Sequence, residues 1–590
     1  MQKITINSIP LEVEEGTTIL QAAKNVNITI PTLCYLEGLR SIGACRVCLV
    51  EVKGMKTLVA SCVTEAREGM VILTDSPRVR KARRSVVGLL LSDHAGDCRT
   101  CDRNTDCELQ KLAVELGIKE ISYQGDVHRG TIDASTPALV RDTTKCINCR
   151  RCVTVCEEVQ GVAALFPQNR GFNTIIGPAF GKTLDSVACV QCGQCAAVCP
   201  VGAITEKDQV DEVWKALDDP VKMVVVQTAP AIRAALGECF GNEPGTSVTG
   251  KMITALRRLG FDYVFDTEFT ADLTIMEEGT ELLHRLTEVY KNKNDAALPQ
   301  FTSCCPAWIK YAEYYYPELL PNISSCKSPQ QMFGAAAKTY FSKKIAKHPE
   351  DIVVVSIMPC TAKKFEAQRE EMHASWSRDV DIVLTTRELG KMIKQAGIDF
   401  NTLEGGSMDA PLGMSTGAAD MFAISGGVME AALRTAYEIV TGKAFPFPDL
   451  RVEPIIGLAG VKEAAIPIET DIPEWSFLNG VTLKVAVAHS LSCAKQVIER
   501  VKSGRAEYHF IEVMACPGGC IGGGGQPRLT TDRVRIARSK VIIEEDKSRA
   551  IRKSHENPDI GNIYKEFFGK PLSEKSHTFL HTHYTPRPWV

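Results

Sequence analysis

The chain has 590 residues, 44% hydrophobic and 24% charged, with a formal net charge of −3. That length calls for several cores, since domains run to roughly 100–200 residues, and the balanced charge argues against a nucleic-acid or anionic-membrane surface. No apolar run approaches the roughly 18 residues that span a bilayer, and the opening MQKITINSIPLEVEEG lacks the basic and then apolar stretch of a secretory signal. A cytoplasmic protein with no membrane span is expected. Of its 23 cysteines, 15 fall between Cys34 and Cys199 in short repeated spacings. Scattered structural thiols would not repeat, and a secreted disulfide scaffold would be small, so the pattern points to metal ligation in a multidomain α/β protein.

In chain order, residues 1–80 open with the alternating run KITINSIPLEV, read as a β-hairpin, and a helix beginning near Thr17. Cys34, Cys45, Cys48 and Cys62 follow as C-x10-C-x2-C-x13-C. Four thiolates on loops suit a [2Fe–2S] centre, with zinc as the alternative for the same soft donors. The gaps resemble those of the [2Fe–2S] domain of respiratory complex I, which implies a ubiquitin-like or plant-ferredoxin-like module. Residues 81–125 begin with the basic helical stretch RVRKARRSVVGLLLSDH, read as a solvated face, and continue into His94, Cys98, Cys101 and Cys107. An imidazole replacing one thiolate makes a cluster less negative and raises its potential. That pattern resembles the [4Fe–4S] centre with one His and three Cys ligands of complex I and large hydrogenases.

Residues 126–215 hold two copies of C-x2-C-x2-C-x3-C: Cys146, Cys149, Cys152, Cys156 and Cys189, Cys192, Cys195, Cys199, the second followed by Pro200. This is the two-cluster ferredoxin run, in which the fourth Cys serves the other cluster. One [4Fe–4S] centre is therefore expected on Cys146, Cys149, Cys152 and Cys199, the other on Cys189, Cys192, Cys195 and Cys156. Residues 216–529 change texture: apolar strand-like runs (KMVVVQTAP, DIVVVSIMPC, LKVAVAHS, YHFIEVMACP) alternate with helical segments, an α/β pattern. Residues 530–590 form a polar, helical and then extended tail without a ligand cluster.

Three cysteine motifs lie in the α/β region: FTSCCPAW, IMPCTAKKFE and EVMACPGGCIGGGGQP. The last two end strand-like runs, so their cysteines are expected on loops at strand ends, where α/β folds place sites. By chemistry alone, Cys305, Cys360, Cys516 and Cys520 suit one more [4Fe–4S] centre, buried because distant loops tie it. The GGGG run, Gly522 to Gly525, lacks the Lys and Ser/Thr of a P-loop and is read as close backbone approach to a cofactor.

The three motifs together resemble the signature motifs of the [FeFe]-hydrogenases, and the resemblance extends over nearly the whole chain, including the N-terminal modules and the tail, expected to wrap the catalytic domain as a small-subunit-like segment. It implies an H-cluster: a [4Fe–4S] cubane bridged to a two-iron unit with CO, CN⁻ and an azadithiolate. Carried over, Cys305, Cys360 and Cys516 hold the cubane, Cys520 bridges to the two-iron unit, and Cys304 is a free thiol that donates protons. Lys363 donates to a cyanide; Gln330 and Pro230 line the two-iron pocket; Met358, Met514 and Phe422 close it with soft apolar groups, for which ordinary core packing is the alternative. Where many members have Ser after the TAP motif, this chain has Ala231. Glu278 and Glu281, an i, i+3 pair, Ser324 and Arg285 continue the proton path to the surface. H2 and protons are then the substrates, with electrons passing along one [2Fe–2S] and three [4Fe–4S] relay clusters.

No dinucleotide fingerprint or flavin site is visible, so NAD(P)H is not expected to react on this chain. The extra N-terminal modules resemble those of hydrogenases in NAD(P)-linked, some of them electron-bifurcating, complexes, which implies a flavin-containing NAD(P)H-oxidising subunit and a small [2Fe–2S] subunit as partners, with ferredoxin alone as the alternative. A complex I relay subunit would share only residues 1–215; a hydrogenase-like assembly factor or H2 sensor tends to lose Cys304 or the glutamates, which are present here. Cys239, Cys326 and Cys493 remain as structural thiols, Cys326 close enough to Ser324 that its oxidation could disturb the relay.

Overall fold

The computed structural model describes residues 1–94, 96–121, 123–128, 130–445, 460–528 and 530–588, with the backbone alone at 453–454. Strands Gln2–Ile6 and Ile9–Val13 pair antiparallel as the expected hairpin, and the first also runs parallel to Val71–Leu73. Helix Ile19–Asn25 starts two residues later than expected, because Thr18 and Gln21 form a reciprocal capping box. Ile4, Ile6, Ile19, Val50 and Ile72 make this module's own core.

Helix Pro77–Asp93 departs in one respect from a solvated basic face. Arg78, Arg80, Lys81 and Arg84 are exposed, but Arg83 is buried and its guanidinium donates to the Leu49 carbonyl at 2.7 Å. A helix packed on the first module places one long cation inward, where a carbonyl satisfies it. His94 caps the end of this helix.

In the next module the two cysteine repeats share backbone as well as sequence. Asn148 and Gln191 occupy equivalent left-handed positions (φ 52° and 57°), as do Arg150 and Gly193 (φ 64° and 74°). Each pair turns the chain around a hollow before a short helix, Arg151–Thr154 or Gln194–Val198.

The larger α/β region holds two sheets. Tyr263–Asp266, Met223–Thr228, Ile352–Met358 and Ile382–Thr385 form an all-parallel sheet in that order. Gln300–Phe301, Phe510–Met514 and Thr482–His489 run parallel in a second sheet, extended by antiparallel Val461–Pro467. The strands read as near-continuous apolar runs because both faces are covered. Helix Thr267–Thr287 packs on helices Pro329–Ala336 and Gly427–Thr441. The tail is built into this domain: Ile560, Ile563, Phe568, Phe579 and Leu580 are buried in its core, and buried Arg538 pairs with Glu238 at 2.7 Å. Among the described residues no helix is long and apolar enough to cross a membrane.

Candidate functional site

The three motif loops leave the C-terminal ends of parallel strands Gln300–Phe301, Ile352–Met358 and Phe510–Met514 and converge on one cavity of about 740 Å³. Cys304, Cys305, Cys360, Cys516 and Cys520 line it, with Pro230, Gln330, Met358, Lys363, Phe422 and Met514. Ala231 does not. It is fully buried in a cluster with Met421, Ala423 and Ile521 against which Cys520 packs, and its carbonyl accepts from Gln526 Nε2 at 3.0 Å.

Burial and mutual repulsion push the Cys360 and Cys520 thiols up to about 12 and the Cys516 thiol well above its usual range. Sulfurs crowded this way ionise only against strong positive charge, which iron supplies. Cys305 heads helix Pro306–Tyr315 and receives the Ala515 N–H at 3.5 Å; Cys516 receives the Gln194 amide at 3.2 Å. The donor set and the size of the cavity thus fit a large iron–sulfur group. Lys363 lies across it: Nζ donates to the Cys304 carbonyl at 3.1 Å and pairs with Glu366 at 2.8 Å. Burial opposes its charge, but Glu366 holds the pKa up. Glu366 also accepts from Gln330 and Ser328, at 3.1 and 2.9 Å. Sequence reasoning missed this anchor, although its i, i+3 spacing from Lys363 was a signal. Gln330 Oε1 is buried and unpartnered among the described residues, free for a group in the cavity.

From Cys304 a line of polar groups leads outward. Burial, then the charge of Glu278, raise the Cys304 thiol well above its usual range. Glu278 is fully buried, accepts the Ser303 N–H at 3.2 Å, and is pushed up to about 8 by burial and by Glu281. Ser324 contacts Glu278 and donates to Glu281 Oε2 at 2.7 Å; Glu281 pairs with Arg285 at 2.6 Å.

Fifteen of the other cysteines gather into four groups. Cys48 and Cys62 have sulfurs 3.4 Å apart, and Cys34 contacts both Cys45 and Cys62. His94, Cys98, Cys101 and Cys107 ring a hollow of about 280 Å³, where His94 Nδ1 is buried without a partner among the described residues. A Cβ on Gly202 would stand 2.9 Å from Cys101 Sγ, so glycine there makes room for the thiol. Cys146, Cys149, Cys152 and Cys199 line a third hollow of about 410 Å³; Cys156, Cys189, Cys192 and Cys195 line a fourth of about 380 Å³. Direct contacts join some of these groups to their neighbours. Arg103, beside the His94 hollow, donates to the Cys199 and Val201 carbonyls at 2.6 and 3.0 Å, and Gln194 of the fourth hollow reaches Cys516.

The run of glycines serves a closer purpose than contact with a cofactor alone. Gly523 lines the cavity, but a Cβ on it would lie 2.2 Å from the Pro359 carbonyl oxygen, and one on Gly524 2.2 Å from that of Cys192. These glycines let the catalytic loop press against both the Cys360 loop and the ferredoxin-like module.

A buried thiol-rich cavity at strand ends, fed by a row of cysteine-lined hollows, defines an iron–sulfur oxidoreductase. Five family profiles match along the chain: a 2Fe-2S iron-sulfur cluster binding domain (1–77), the NADH-ubiquinone oxidoreductase-G iron-sulfur binding region (83–122), a 4Fe-4S dicluster domain (145–203), the C-terminal domain of the iron only hydrogenase large subunit (222–524) and the iron hydrogenase small subunit (532–587). The chain is 50% identical to the NADP-reducing hydrogenase subunit HndD of Solidesulfovibrio fructosivorans, covering 100% of this chain and 99% of that one. It is 41% identical to Iron hydrogenase 1 of Clostridium pasteurianum, over 99% and 100% of the two. The solved apo [FeFe]-hydrogenase HydA1 of Chlamydomonas reinhardtii, a variant, superposes with a TM-score of 0.59 at 44% identity, over 64% of this chain and 99% of that one. The chain belongs to the [FeFe]-hydrogenase family, oxidoreductases acting on H2, with 2Fe–2S and 4Fe–4S modules ahead of an H-cluster domain.

Proposed function

We propose that this chain catalyses reversible H2 oxidation and proton reduction as the catalytic subunit of a multi-subunit NAD(P)-linked complex. The observation that carries the catalytic reading is the 740 Å³ cavity, which gathers five thiols and Lys363 and gives through Cys304 onto Glu278, Ser324, Glu281 and Arg285. In this reading Cys305, Cys360, Cys516 and Cys520 hold the H-cluster, which when bound supplies the redox and base chemistry that splits H2. The protein's residues do the rest. Lys363, fixed by Glu366, donates a charge-assisted hydrogen bond into the cavity. Met358, Phe422 and Met514, all buried, exclude water. Cys304 hands a proton to or takes one from the site, and Glu278, uncharged near neutrality, passes it through the Ser324 hydroxyl to Glu281 and Arg285.

The four outer groups carry electrons: a [2Fe–2S] centre on Cys34, Cys45, Cys48 and Cys62, and [4Fe–4S] centres on His94 with Cys98, Cys101 and Cys107, on Cys146, Cys149, Cys152 and Cys199, and on Cys156, Cys189, Cys192 and Cys195. The relative HndD is named as a subunit of an NADP-reducing hydrogenase; its likeness over the full chain supports partners here too, a flavin-containing NAD(P)H-oxidising subunit and a small [2Fe–2S] subunit, with ferredoxin as a second electron carrier. The catalytic reading is tested by reconstituting the chain anoxically with iron, sulfide and the two-iron cofactor. About 20 iron atoms per chain are expected for these cluster types, with H2 evolved from reduced viologen. Full iron without H2 would overturn the catalytic reading; zinc in near-stoichiometric amount with iron well short of 20 would overturn the ligand assignment.

A further inference from the structure

Cys326 is not an isolated structural thiol. The tail pairs antiparallel with the segment after Ser324: Thr582 N–H donates to the Ser325 carbonyl at 2.7 Å and Lys327 N–H to the Leu580 carbonyl at 2.8 Å. That register sets His581 directly across from Cys326. Cys326 Sγ lies 3.8 Å from Glu281 Oε2 and 4.0 Å from His581 Nδ1, and the three atoms fall within 4.8 Å of one another. Cys326 is fully buried and His581 nearly so, while the Glu281 side chain keeps 13% of its surface exposed.

The imidazole is held for ligation. His581 Nε2 is 3.1 Å from Glu277 Oε2, and Glu277 also accepts from Tyr564 at 2.6 Å and the Leu572 N–H at 2.8 Å. A carboxylate fixed in this way keeps the proton on Nε2 and turns the Nδ1 lone pair toward Cys326, the arrangement that backs metal-bound histidines. Ser325 Oγ, 2.8 Å from Nδ1, occupies that lone pair and can rotate away.

We propose that Glu281, Cys326 and His581 form a binding site for one thiophilic divalent cation, Zn²⁺, held through Oε2, Sγ and Nδ1. Tetrahedral zinc with sulfur and nitrogen ligands spaces them about 3.5 Å apart, so the two distances to Cys326 Sγ close by a few tenths of an ångström and the carboxylate and imidazole, within 4.8 Å of one another, close by about 1 Å at most. The Cys326 thiol releases its proton to solvent on binding, and a water completes the coordination. Entry is from the rim where Glu281 and Arg285 are partly exposed. Resting on the relay reading of Glu281, zinc there engages the carboxylate that joins Ser324 to Arg285. Proton delivery stops while the electron relay is untouched.

The test uses the holoenzyme, equilibrated anoxically with zinc chloride and desalted. About one zinc per chain is expected beyond that kept by Cys326→Ala, with one sulfur neighbour in its X-ray absorption spectrum. His581→Gln loses the same zinc. Equal zinc in wild type and Cys326→Ala, or a zinc with several sulfur neighbours drawn from displaced clusters, overturns the site. H2 evolution from reduced viologen, each protein against its own zinc-free rate, is expected to be at least roughly tenfold less sensitive to zinc in Cys326→Ala and to recover with chelator. Zinc bound as described with turnover unaffected leaves the metal site standing and removes Glu281 from the proton path.

Discussion

A carboxyl that is wholly buried beside another carboxylate, as Glu278 is beside Glu281, holds its proton to about pH 8. Its folded pKa is raised above the ordinary 4.5, so the stability linked to the protonated form is complete below that value and is lost as pH climbs through about 8. Glu278→Gln keeps the shape and the neutral charge. It is expected to match wild type in thermal stability at pH 5 and to exceed it at pH 9 by on the order of 4 kcal/mol, read as a higher Tm only at the alkaline pH. H2 evolution by the same variant falls by roughly 10²–10⁴-fold while its cluster absorption stays. A variant with normal turnover would remove Glu278 from the relay. At this scale the sequence was most readable where residues act in fixed spacing. Glu278 and Glu281 share a helix face, and the ligand cysteines come in short runs. Glu366 under Lys363 was readable from its i, i+3 spacing and was overlooked, whereas Gln194 on Cys516 and His581 against Cys326 were not readable as contacts, because each joins segments that only the fold brings together.

At the level of elements, what couples the electron relay to the catalytic cavity is backbone pressed on backbone. Gly524 packs against the Cys192–Gly193 turn, Thr361 Oγ1 donates to the Gln191 carbonyl at 2.7 Å, and Gln160 Nε2 donates to the Ala515 carbonyl at 2.9 Å. A methyl at Gly524 has no room, with the Cys192 oxygen 2.2 Å and the Gly193 Cα 2.7 Å from the Cβ position. The neighbours are main chain and cannot rotate away, so Gly524→Ala must part the two loops. Because electron tunnelling weakens steeply with distance, ferredoxin-driven H2 evolution should drop severalfold or more. H2/D2 exchange, which needs only the cavity and the proton path, should persist. Equal loss of both activities would mean the glycine shapes the cavity rather than the junction. The sequence marked the glycine run as a close approach, and the strand-end positions of the cysteine loops were readable from apolar runs ending in MPC and MAC. What the run approaches was hidden, since no local pattern records that a loop near residue 524 meets one near residue 192.

Across the whole molecule, the arrangement is longer than one catalyst and one donor require. A ferredoxin could reach the hydrogenase cavity through the two hollows nearest it, yet the chain adds the His94 group and a first module with its own core. Exposed ion pairs, Arg40 with Glu157 and Glu158 at 2.8 and 3.1 Å, help hold that module, and such pairs contribute little. Two additional exits make sense if electrons are shared between two carriers, and a chain without a dinucleotide fingerprint needs another subunit to meet NAD(P)H. Solvent-facing aromatics are consistent with a surface that expects company: Phe166, Phe172 and Phe180, the last 94% exposed, all project from residues 166–181 of the ferredoxin-like module. The expected outcome of anoxic native purification is therefore a multi-subunit assembly containing flavin, in which reduction of NAD(P)⁺ by H2 depends on the companion subunits while viologen-linked H2 evolution does not. The simpler arrangement, extra modules as further landing sites for ferredoxin, predicts instead a single 64.5 kDa chain, fully active with ferredoxin and free of flavoprotein. The two outcomes separate on one size-exclusion run with flavin absorbance recorded across the active peak, because a docked flavoprotein must both enlarge the particle and colour it.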